Sequence, residues 1–361
     1  MPLLSRYDLT TSLPKAALIS RPKSFWRYEA VLPVLQPDNQ ITLGEGFTPL
    51  LDLPRLVQGY PLGRLTLKDE GVNPTGSFKA RGLCMAVSKA KENGIQACII
   101  PTAGNAGVAM AAYCARAGLE AVVVMPRHTP EAFREECLGY GARVLLVDGL
   151  INDCAAEVGR INQGGDYFDV STLKEPYRLE GKKTMGYELA EQLDWQLPDA
   201  ILYPAGGGTG LIGIWKAFAE MQELGWLTRS QRLPRMVAVQ AQLCCPVVET
   251  YWGRQLNSKQ YVGRPTLANG LAVPRPIGEP LMLQVLRESR GTAIAISEEG
   301  MLEGVREVAR REGIFVAPEG GALWAAAKQL SAQGWLGPDE HVLLLNTGNG
   351  QKYLDHIKGT W

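Results

Sequence analysis

The fold is decided by residues 200–213, Ala200-Ile201-Leu202-Tyr203-Pro204-Ala205-Gly206-Gly207-Gly208-Thr209-Gly210-Leu211-Ile212-Gly213. The first four residues are apolar on both faces, as in a strand of a parallel sheet that helices cover on each side. Glycines interrupt this run, and the apolar residues that follow them recur at helical spacing. The stretch therefore predicts a buried strand, a tight turn and a helix in direct succession.

The same succession recurs along most of the chain. Apolar runs typical of strands lie at 97–101, 121–125, 143–147, 200–203, 236–240 and 341–346. Helical patterns lie between and after them, at 80–92, 106–117, 130–140, 181–193, 211–223, 298–311 and 321–330. This alternation predicts an α/β architecture with mostly parallel sheets. A second glycine-rich turn near residue 104 indicates two such sheets, with a cleft between them.

Composition excludes several classes of function. The 361 residues are enough for two lobes with separate cores, and the 37 basic residues balance the 37 acidic ones. Without a clustered basic surface, neither a nucleic acid nor an anionic membrane is an expected partner. No apolar run is long enough to span a bilayer, and no secretory signal is recognisable, so we expect a cytoplasmic protein.

The cysteines predict neither a disulfide framework nor a metal site. There are seven, an odd number, and no C-x-x-C pair occurs. Several lie in apolar stretches, where a free thiol behaves as a small buried hydrophobe. The adjacent Cys244 and Cys245 could form a redox pair, but packing is the simpler interpretation. We therefore expect a reduced protein without a bound metal.

The glycine run at 206–210 predicts an anion site. Glycines let the backbone approach a ligand closely, and the start of the following helix offers unpaired N–H groups. The pattern Gly208-x-Gly210-x-x-Gly213 also matches a dinucleotide-binding fingerprint. That alternative requires an acidic residue at the end of the next strand, where this chain has Gln240. A glycine-rich turn without any ligand is the remaining structural interpretation.

A second informative stretch is Asn73-Pro74-Thr75-Gly76-Ser77-Phe78-Lys79-Ala80-Arg81-Gly82. Turn residues lead into a helix, and Lys79 falls in the first turn of that helix. A cation there opposes the helix dipole, which lowers its basicity and makes it a usable nucleophile for a Schiff base. A lone lysine would more simply be a surface residue, so the surrounding sequence has to decide.

That surrounding sequence resembles the fold-type II pyridoxal-phosphate (PLP) enzymes, which are tryptophan synthase β-like, and among them the threonine synthases. Their cofactor-lysine motif is similar to N-P-T-G-S-F-K-x-R-G. Five further segments match in order: 43–50 (L-G-E-G-F-T-P-L), 102–106 (T-A-G-N-A), 176–184 (P-Y-R-L-E-G-K-K-T, where threonine synthases read P-Y-R-L-E-G-Q-K-T), 312–320 and 346–350. The resemblance covers most of the chain and implies a two-lobed fold with PLP in the cleft.

The resemblance also implies roles for the matching positions. Lys79 would carry the cofactor and then act as the base at the substrate Cα. Asn105 would hydrogen-bond the 3′ oxygen of the cofactor, and the hydroxyl of Thr347 would contact its pyridine nitrogen. A hydroxyl there favours elimination and replacement over transamination. The backbone that binds the cofactor phosphate would be that of Gly206, Gly207, Gly208, Thr209 and Gly210.

Two reactions are compatible with these roles. In the first, a threonine synthase-type lyase converts O-phosphohomoserine and water to threonine and phosphate. Arg178 would bind the substrate phosphate, since its planar fork suits that group, with Lys182 and Lys183 as weaker candidates. An ordinary structural ion pair is the simpler interpretation of Arg178. The substrate-binding set that we expect is Ser77, Thr102, Gly104 and Arg178.

The second reaction is that of a threonine or serine dehydratase-type ammonia-lyase, or of a β-replacement enzyme on a related amino acid. Three departures from the threonine synthase pattern favour it. The chain has Ala80 where those enzymes usually have Asp, and Ala103 and Ala106 where they usually have hydroxyl residues. Its glycine run is also nearer to that of the dehydratases. A non-catalytic binding protein and an NAD oxidoreductase are weaker alternatives from other classes.

The predicted domain organisation follows from the same resemblance. We expect an N-terminal arm at 1–40, a large PLP-binding domain at 41–64 and 171–361, and a smaller mobile domain at 65–170. The smaller domain would close over a small amino-acid substrate and exclude water. Related enzymes are homodimers, so a homodimer is expected here. The histidines, His128, His341 and His356, match no base position and are expected to be structural or surface residues.

Overall fold

The computed structural model of the protein describes residues 2–9 and 14–359, without the side chain of His356. Its strands are β1 (Leu50–Asp52), β2 (Leu65–Asp69), β3 (Ala97–Pro101), β4 (Glu120–Pro126), β5 (Arg143–Val147), β6 (Phe168–Asp169), β7 (Ala200–Pro204), β8 (Arg235–Ala241), β9 (Thr292–Ile296) and β10 (Val342–Asn346). The α/β fold class predicted from the sequence is confirmed.

The helices connect and cover these strands. They are α1 (Lys79–Glu92), α2 (Asn105–Ala117), α3 (Glu131–Gly139), α4 (Ile151–Ile161), α5 (Tyr177–Gln192), α6 (Thr209–Glu223), α7 (Pro246–Tyr251), α8 (Glu279–Glu288), α9 (Glu298–Glu312), α10 (Pro318–Ala332) and α11 (Leu354–Ile357). Short 3-10 helices lie at Lys15–Leu18, Phe25–Val31, Pro37–Asn39, Glu70–Val72, Pro74–Gly76, Ser258–Gln260, Asn269–Leu271 and Gly350–Tyr353.

The chain divides into two compact units. The first comprises the described residues of Met1–Phe47, together with Asn73–Glu188 and Gly213–Arg229. The second comprises Thr48–Val72, Leu189–Ile212 and Ser230–Trp361, as far as the structure describes them. The extents and the movement of the domains predicted from the sequence remain predictions.

The first unit contains a four-stranded sheet in the order β5-β4-β3-β6, with every pair of neighbours parallel. Strands β3 and β4 read as near-continuous apolar runs, and nearly all of their residues are buried. On one face Cys154 and Val158 of α4 pack against Ile99, Val122 and Val124. This apolar contact anchors the sheet from which the residues after β3 emerge.

Helices α1 and α5 of the first unit approach each other at two glycines. A Cβ added to Gly181 would lie 2.2 Å from the backbone oxygen of Arg81, and one added to Gly82 would lie 2.9 Å from the backbone oxygen of Arg178. Both distances are shorter than any ordinary contact, so the backbones meet directly. This contact fixes the first turns of α1 against α5.

The second unit contains a six-stranded sheet in the order β1-β2-β10-β7-β8-β9. Only the edge strand β1 is antiparallel to its neighbour, and the remaining pairs are parallel. The fully buried indole of Trp324 in α10 belongs to the apolar core beneath this sheet. Because β2, β10 and β7 run parallel as neighbours, the segments that follow them emerge at one edge of the sheet.

All seven cysteines are buried, and none of them forms a disulfide in this structure. No helix in the described ranges is long and apolar enough to cross a membrane.

Candidate active site

Lys79 is the first residue of α1 and follows a tight turn. Thr75 and Gly76 in that turn have φ values of 62° and 64°, in the left-handed region. For a β-branched residue this conformation costs on the order of 1–3 kcal/mol, and such strain is concentrated at functional sites. The Lys79 Nζ lies 4.6 Å from the centre of the Phe78 ring. The turn therefore places an amine at the positive end of a helix, as the sequence predicted.

Ser77 lies two residues before Lys79 and is fully buried. Among the residues that the structure describes, its hydroxyl has no hydrogen-bond partner. A buried hydroxyl without a partner costs free energy of about 1–3 kcal/mol, which a ligand that bonds to it would recover. Ser77 is thus free to bind a ligand group beside Lys79.

Thr102, Gly104 and Asn105 follow the carboxyl end of β3. Gly104 has a φ of 144°, and a Cβ there would lie 3.1 Å from the Phe133 ring. The Thr102 hydroxyl accepts hydrogen bonds from the backbone N–H groups of Gly104 and Gly107, at 3.1 and 3.2 Å. Thr102 therefore shapes the turn, while Asn105 begins α2. A role of the Thr102 hydroxyl in binding substrate remains a prediction.

Arg178 is fully buried near the start of α5. Its Nη1 donates to the backbone oxygen of Val170 at 2.7 Å and to the Thr172 hydroxyl at 3.3 Å. Its Nε has no acceptor among the described residues. Burial lowers the pKa of Arg178, against the opposing effect of the neighbouring Glu175 and Asp169. The hydrogen-bond partners of this guanidinium are thus neutral groups, so the ordinary ion-pair interpretation is not supported.

Glu175 is a buried carboxyl that no pattern in the sequence indicated. Its Oε2 accepts from the backbone N–H groups of Tyr177 and Arg178, at 2.5 and 3.1 Å, which caps α5. Burial raises the pKa of Glu175 to about 7, although Arg178 and the two N–H groups favour the charged form. Near neutral pH this carboxyl is therefore only partly ionised.

This raised pKa predicts that Glu175→Gln stabilises the protein at alkaline pH. In the unfolded chain the Glu175 carboxyl loses its proton near pH 4.5, and in the folded protein it does so near pH 7. The free energy of unfolding of the wild type therefore falls as the pH rises between these values. Glutamine retains the acceptor oxygen but carries no charge. We expect equal free energies of unfolding at pH 4 and a gain of about 3 kcal/mol in the variant at pH 8. Urea unfolding at both pH values measures this difference, and an unchanged value at pH 8 would contradict it.

Lys182 and Lys183, the weaker phosphate candidates, are both fully buried and both have partners. Lys183 is ion-paired with Glu180 at 2.7 Å and with Glu220 at 3.0 Å. Burial lowers the pKa of Lys183, while the two carboxylates oppose that change. Lys182 donates to the backbone oxygen of Phe78. Neither lysine is therefore directed at a substrate phosphate in this structure.

The glycine run of the second unit joins β7 to α6. A Cβ on Gly206 would lie 2.1 Å from the backbone oxygen of Gly270, and one on Gly208, whose φ is 79°, would lie 2.2 Å from the sulfur of Met282. The Gly210 N–H donates to the Tyr203 hydroxyl at 3.1 Å. The glycines thus allow the loop to lie close against the protein on one side.

The other side of this loop presents backbone donors. The N–H groups of Gly207, Gly208 and Thr209 make no hydrogen bond to any backbone group in the described ranges outside their helix. They stand at the N-terminus of α6, where N–H groups have no intrahelical acceptor. This arrangement suits a phosphate.

Thr347 follows β10 at the same edge of the sheet as this loop. The preceding Asn346 donates from Nδ2 to the Asp69 carboxylate at 2.7 Å, and the Gly71 N–H donates to the same oxygen at 3.0 Å. Burial raises the pKa of Asp69, and these two hydrogen bonds oppose that change. They fix the ends of β2 and β10 together, which holds the backbone of Thr347 in place.

These observations match what PLP requires. In the first unit, an amine at a helix start has beside it a hydroxyl without a partner among the described residues, which suits an aldehyde; in the second unit, a glycine cradle of N–H donors suits a phosphate. No cluster of residues suitable for a metal ion occurs in the described part of the chain. His128 is exposed, and His341 shares a hydrogen bond of 2.9 Å with Thr66. The side chain of His356 lies outside the described residues.

Comparison with known proteins identifies the class. The family model described as "Pyridoxal-phosphate dependent enzyme" matches residues 41–348, and the chain belongs to this family. The protein is accordingly a PLP-dependent enzyme of the lyase class. The predicted family, fold class and cofactor are confirmed.

The curated relatives of this chain are named for one particular enzyme. The threonine synthase of Methanocaldococcus jannaschii is 32% identical over 96% of this chain and 85% of its own length. The threonine synthase of Methanosarcina acetivorans is 36% identical over 90% of this chain and 79% of its own length. Among solved structures, an aspartate racemase is similar with a TM-score of 0.72 at 22% identity, covering 84% of this chain and 90% of its own. At that identity the solved structure supports the fold alone.

Proposed function

We propose that the protein is a threonine synthase that converts O-phosphohomoserine and water to threonine and phosphate. Threonine as the product is supported by two relatives that are named threonine synthase. Their sequences are 32 and 36% identical to this chain over most of both lengths. The observation that supports this substrate is Arg178, a buried guanidinium whose hydrogen-bond partners are neutral and whose Nε has no acceptor among the described residues. A buried cation in this state favours an anionic ligand, and a guanidinium fork suits phosphate.

The roles of the remaining residues form part of the same proposal. When bound, PLP supplies an aldehyde and an electron-withdrawing ring that acidifies the Cα proton of an amino acid. Lys79 attaches the cofactor and, once released from it, moves protons at Cα and Cβ of the substrate. Ser77 and the turn from Thr102 to Gly104 bind the substrate carboxylate. Asn105 binds the 3′ oxygen of the cofactor.

The second unit contributes the remaining contacts in this proposal. The backbone of 206–210 binds the cofactor phosphate through the N–H groups at the start of α6. The Thr347 hydroxyl forms a hydrogen bond with the pyridine nitrogen of the cofactor. A hydroxyl at this position would not stabilise a full positive charge on that nitrogen, so Thr347 would leave the bound cofactor a milder electron acceptor than a carboxylate would. This favours loss of the phosphate group from Cγ over transamination.

An assay with three substrates in parallel tests the proposed reaction. O-phosphohomoserine is expected to release phosphate and form threonine, whereas serine and threonine are expected to release little ammonia or keto acid. The opposite pattern would support an ammonia-lyase, which Ala103 and Ala106 favour because they lack the hydroxyl groups usual in threonine synthases.

Variants at Arg178 test the phosphate site itself. Arg178→Lys keeps a charge but loses the fork, so we expect a KM for O-phosphohomoserine about 10- to 100-fold higher. Arg127→Lys, which changes an exposed arginine paired with Asp148, is the matched control. An unchanged KM in Arg178→Lys would overturn this assignment. The expected homodimer is likewise a proposal, which the molecular mass in solution checks.

A further inference from the structure

Lys182 is a buried cation close to the start of α1. Its side chain is fully buried, and its Nζ donates to the backbone oxygen of Phe78, the residue that precedes Lys79. The same nitrogen lies 4.3 Å from the centre of the Phe78 ring. At this distance an ammonium group is attracted to the face of an aromatic ring. Lys182 thus contacts both the backbone and the side chain of Phe78.

Lys79 shares this aromatic ring. Its Nζ lies 4.6 Å from the ring centre, so the two nitrogens are at most about 9 Å apart, the sum of the two distances. At an effective dielectric constant of about 20, a unit charge at this distance changes a pKa by roughly one unit. The electrostatic effect of Lys182 on Lys79 is therefore large enough to measure.

The packing of α1 on α5 fixes this arrangement. A Cβ added to Gly82 would lie 3.0 Å from the Lys182 Nζ and 3.2 Å from its Cε, so the absent side chain of Gly82 makes the room that the lysine occupies. Gly181, next to Lys182, meets the backbone of Arg81 directly. Lys182 consequently has little freedom to move away from Phe78.

Among the described residues, Arg81 and Lys183 on these two helices are ion-paired, whereas Arg178 on α5 has only neutral hydrogen-bond partners. Arg81 is bound by both oxygens of Glu188, and the carboxylates of Glu180 and Glu220 are shared between Lys183 and Lys216. These ion pairs contain equal numbers of positive and negative charges, so they offset little of the field of Lys182 at Lys79, and Arg178 adds a further positive charge on α5.

We propose that Lys182 is a positioning residue for the reaction, which holds Phe78 in place and lowers the basicity of the Lys79 amine. This inference rests on the proposed role of Lys79 as the cofactor lysine. A less basic amine is deprotonated more often near neutral pH, which speeds both attachment of the aldehyde and later proton transfer. At position 182 the threonine synthases that this sequence resembles have glutamine, which offers a donor without a charge.

The experiment measures the pH dependence of covalent capture of added PLP by the full chain stripped of its cofactor. The rate, followed by absorbance after rapid mixing, rises as Lys79 loses its proton, and its midpoint reports the pKa of that amine. Lys182→Gln keeps a donor for Phe78 but removes the charge, so its midpoint is expected to rise by about one unit. Lys182→Arg keeps the charge and is expected to stay near the wild type.

Further controls separate the possible outcomes. Thermal unfolding and far-ultraviolet circular dichroism identify variants that fail to fold. Lys182→Met has neither a donor nor a charge, so its pH midpoint of capture should shift at least as far as that of Lys182→Gln. A midpoint in folded Lys182→Gln equal to that of the wild type would overturn the proposal. Capture that persists in Lys79→Ala would instead overturn the role of Lys79, and turnover of serine in place of O-phosphohomoserine would overturn only the proposed substrate.

Discussion

Replacement of Lys79 by alanine is expected to abolish turnover and covalent attachment of the cofactor together. The variant lacks the amine that attaches PLP and moves protons at the substrate, so activity should fall by about a thousandfold or more. Borohydride reduction of the wild type, followed by peptide mass spectrometry, should find the mass of the reduced cofactor on the peptide that contains Lys79. The same treatment of Lys79→Ala should leave every peptide unmodified.

Lys89→Ala provides the matched control for this experiment. Lys89 lies on the same helix, is ion-paired with Glu92 and donates to the backbone oxygen of Pro33 at 2.9 Å. Its loss removes a cation of α1 without touching the proposed chemistry, so cofactor attachment and activity should persist. Measurable catalysis in Lys79→Ala would defeat the proposed mechanism.

The second large effect is expected on the stability of the folded protein. Glu188→Gln is expected to reduce the free energy of unfolding by about 3–5 kcal/mol, because it leaves the charge of Arg81 buried without a counter-charge. Both side chains are completely buried, and two hydrogen bonds of 2.5 and 2.7 Å join them in parallel. A third hydrogen bond, of 3.0 Å, joins Arg81 to the Thr184 hydroxyl.

Denaturant unfolding in excess PLP measures this loss. Asp148→Asn is the appropriate control, because Asp148 forms the same type of ion pair with Arg127 on the exposed surface, where such pairs contribute little. We expect no measurable change in that variant. If both variants unfolded at the same denaturant concentration, burial of the Arg81–Glu188 pair would have no special importance for stability.

The strands predicted from the sequence are runs in which apolar side chains predominate, although the similarly apolar β9 was not predicted. The predicted bounds of 97–101 and 143–147 agree with β3 and β5. Strand β2 was missed because it reads Leu-Thr-Leu-Lys-Asp, a mixed pattern with a lysine that would ordinarily be exposed. In the structure Lys68 is fully buried and donates to the backbone oxygen of Thr48 and to Gln192, at 2.8 and 2.7 Å. These partners are distant in sequence, so local pattern could not identify the strand.

In the candidate site too, the residues in local sequence motifs could be predicted, whereas contacts made by tertiary packing could not. Lys79, Asn105 and the glycine run lie in motifs whose turn and helix-start signals are continuous in the sequence. The burial of Glu175 and the contact of Lys182 with Phe78 depend on how α5 packs against other parts of the first unit. The one available signal was the lysine at 182 in a run where threonine synthases have glutamine. Which atoms it contacts depends on the tertiary structure.

The glycine contact between α1 and α5 limits how the enzyme can be re-engineered. Because Gly181 meets the carbonyl of Arg81 and Gly82 makes room for Lys182, a saturation library that includes positions 82 and 181 should yield almost entirely inactive or insoluble clones. Selection for a new substrate would explore productive sequence space more efficiently at Ala103 and Ala106, where the side chains are already small and the neighbouring turn is set by Thr102.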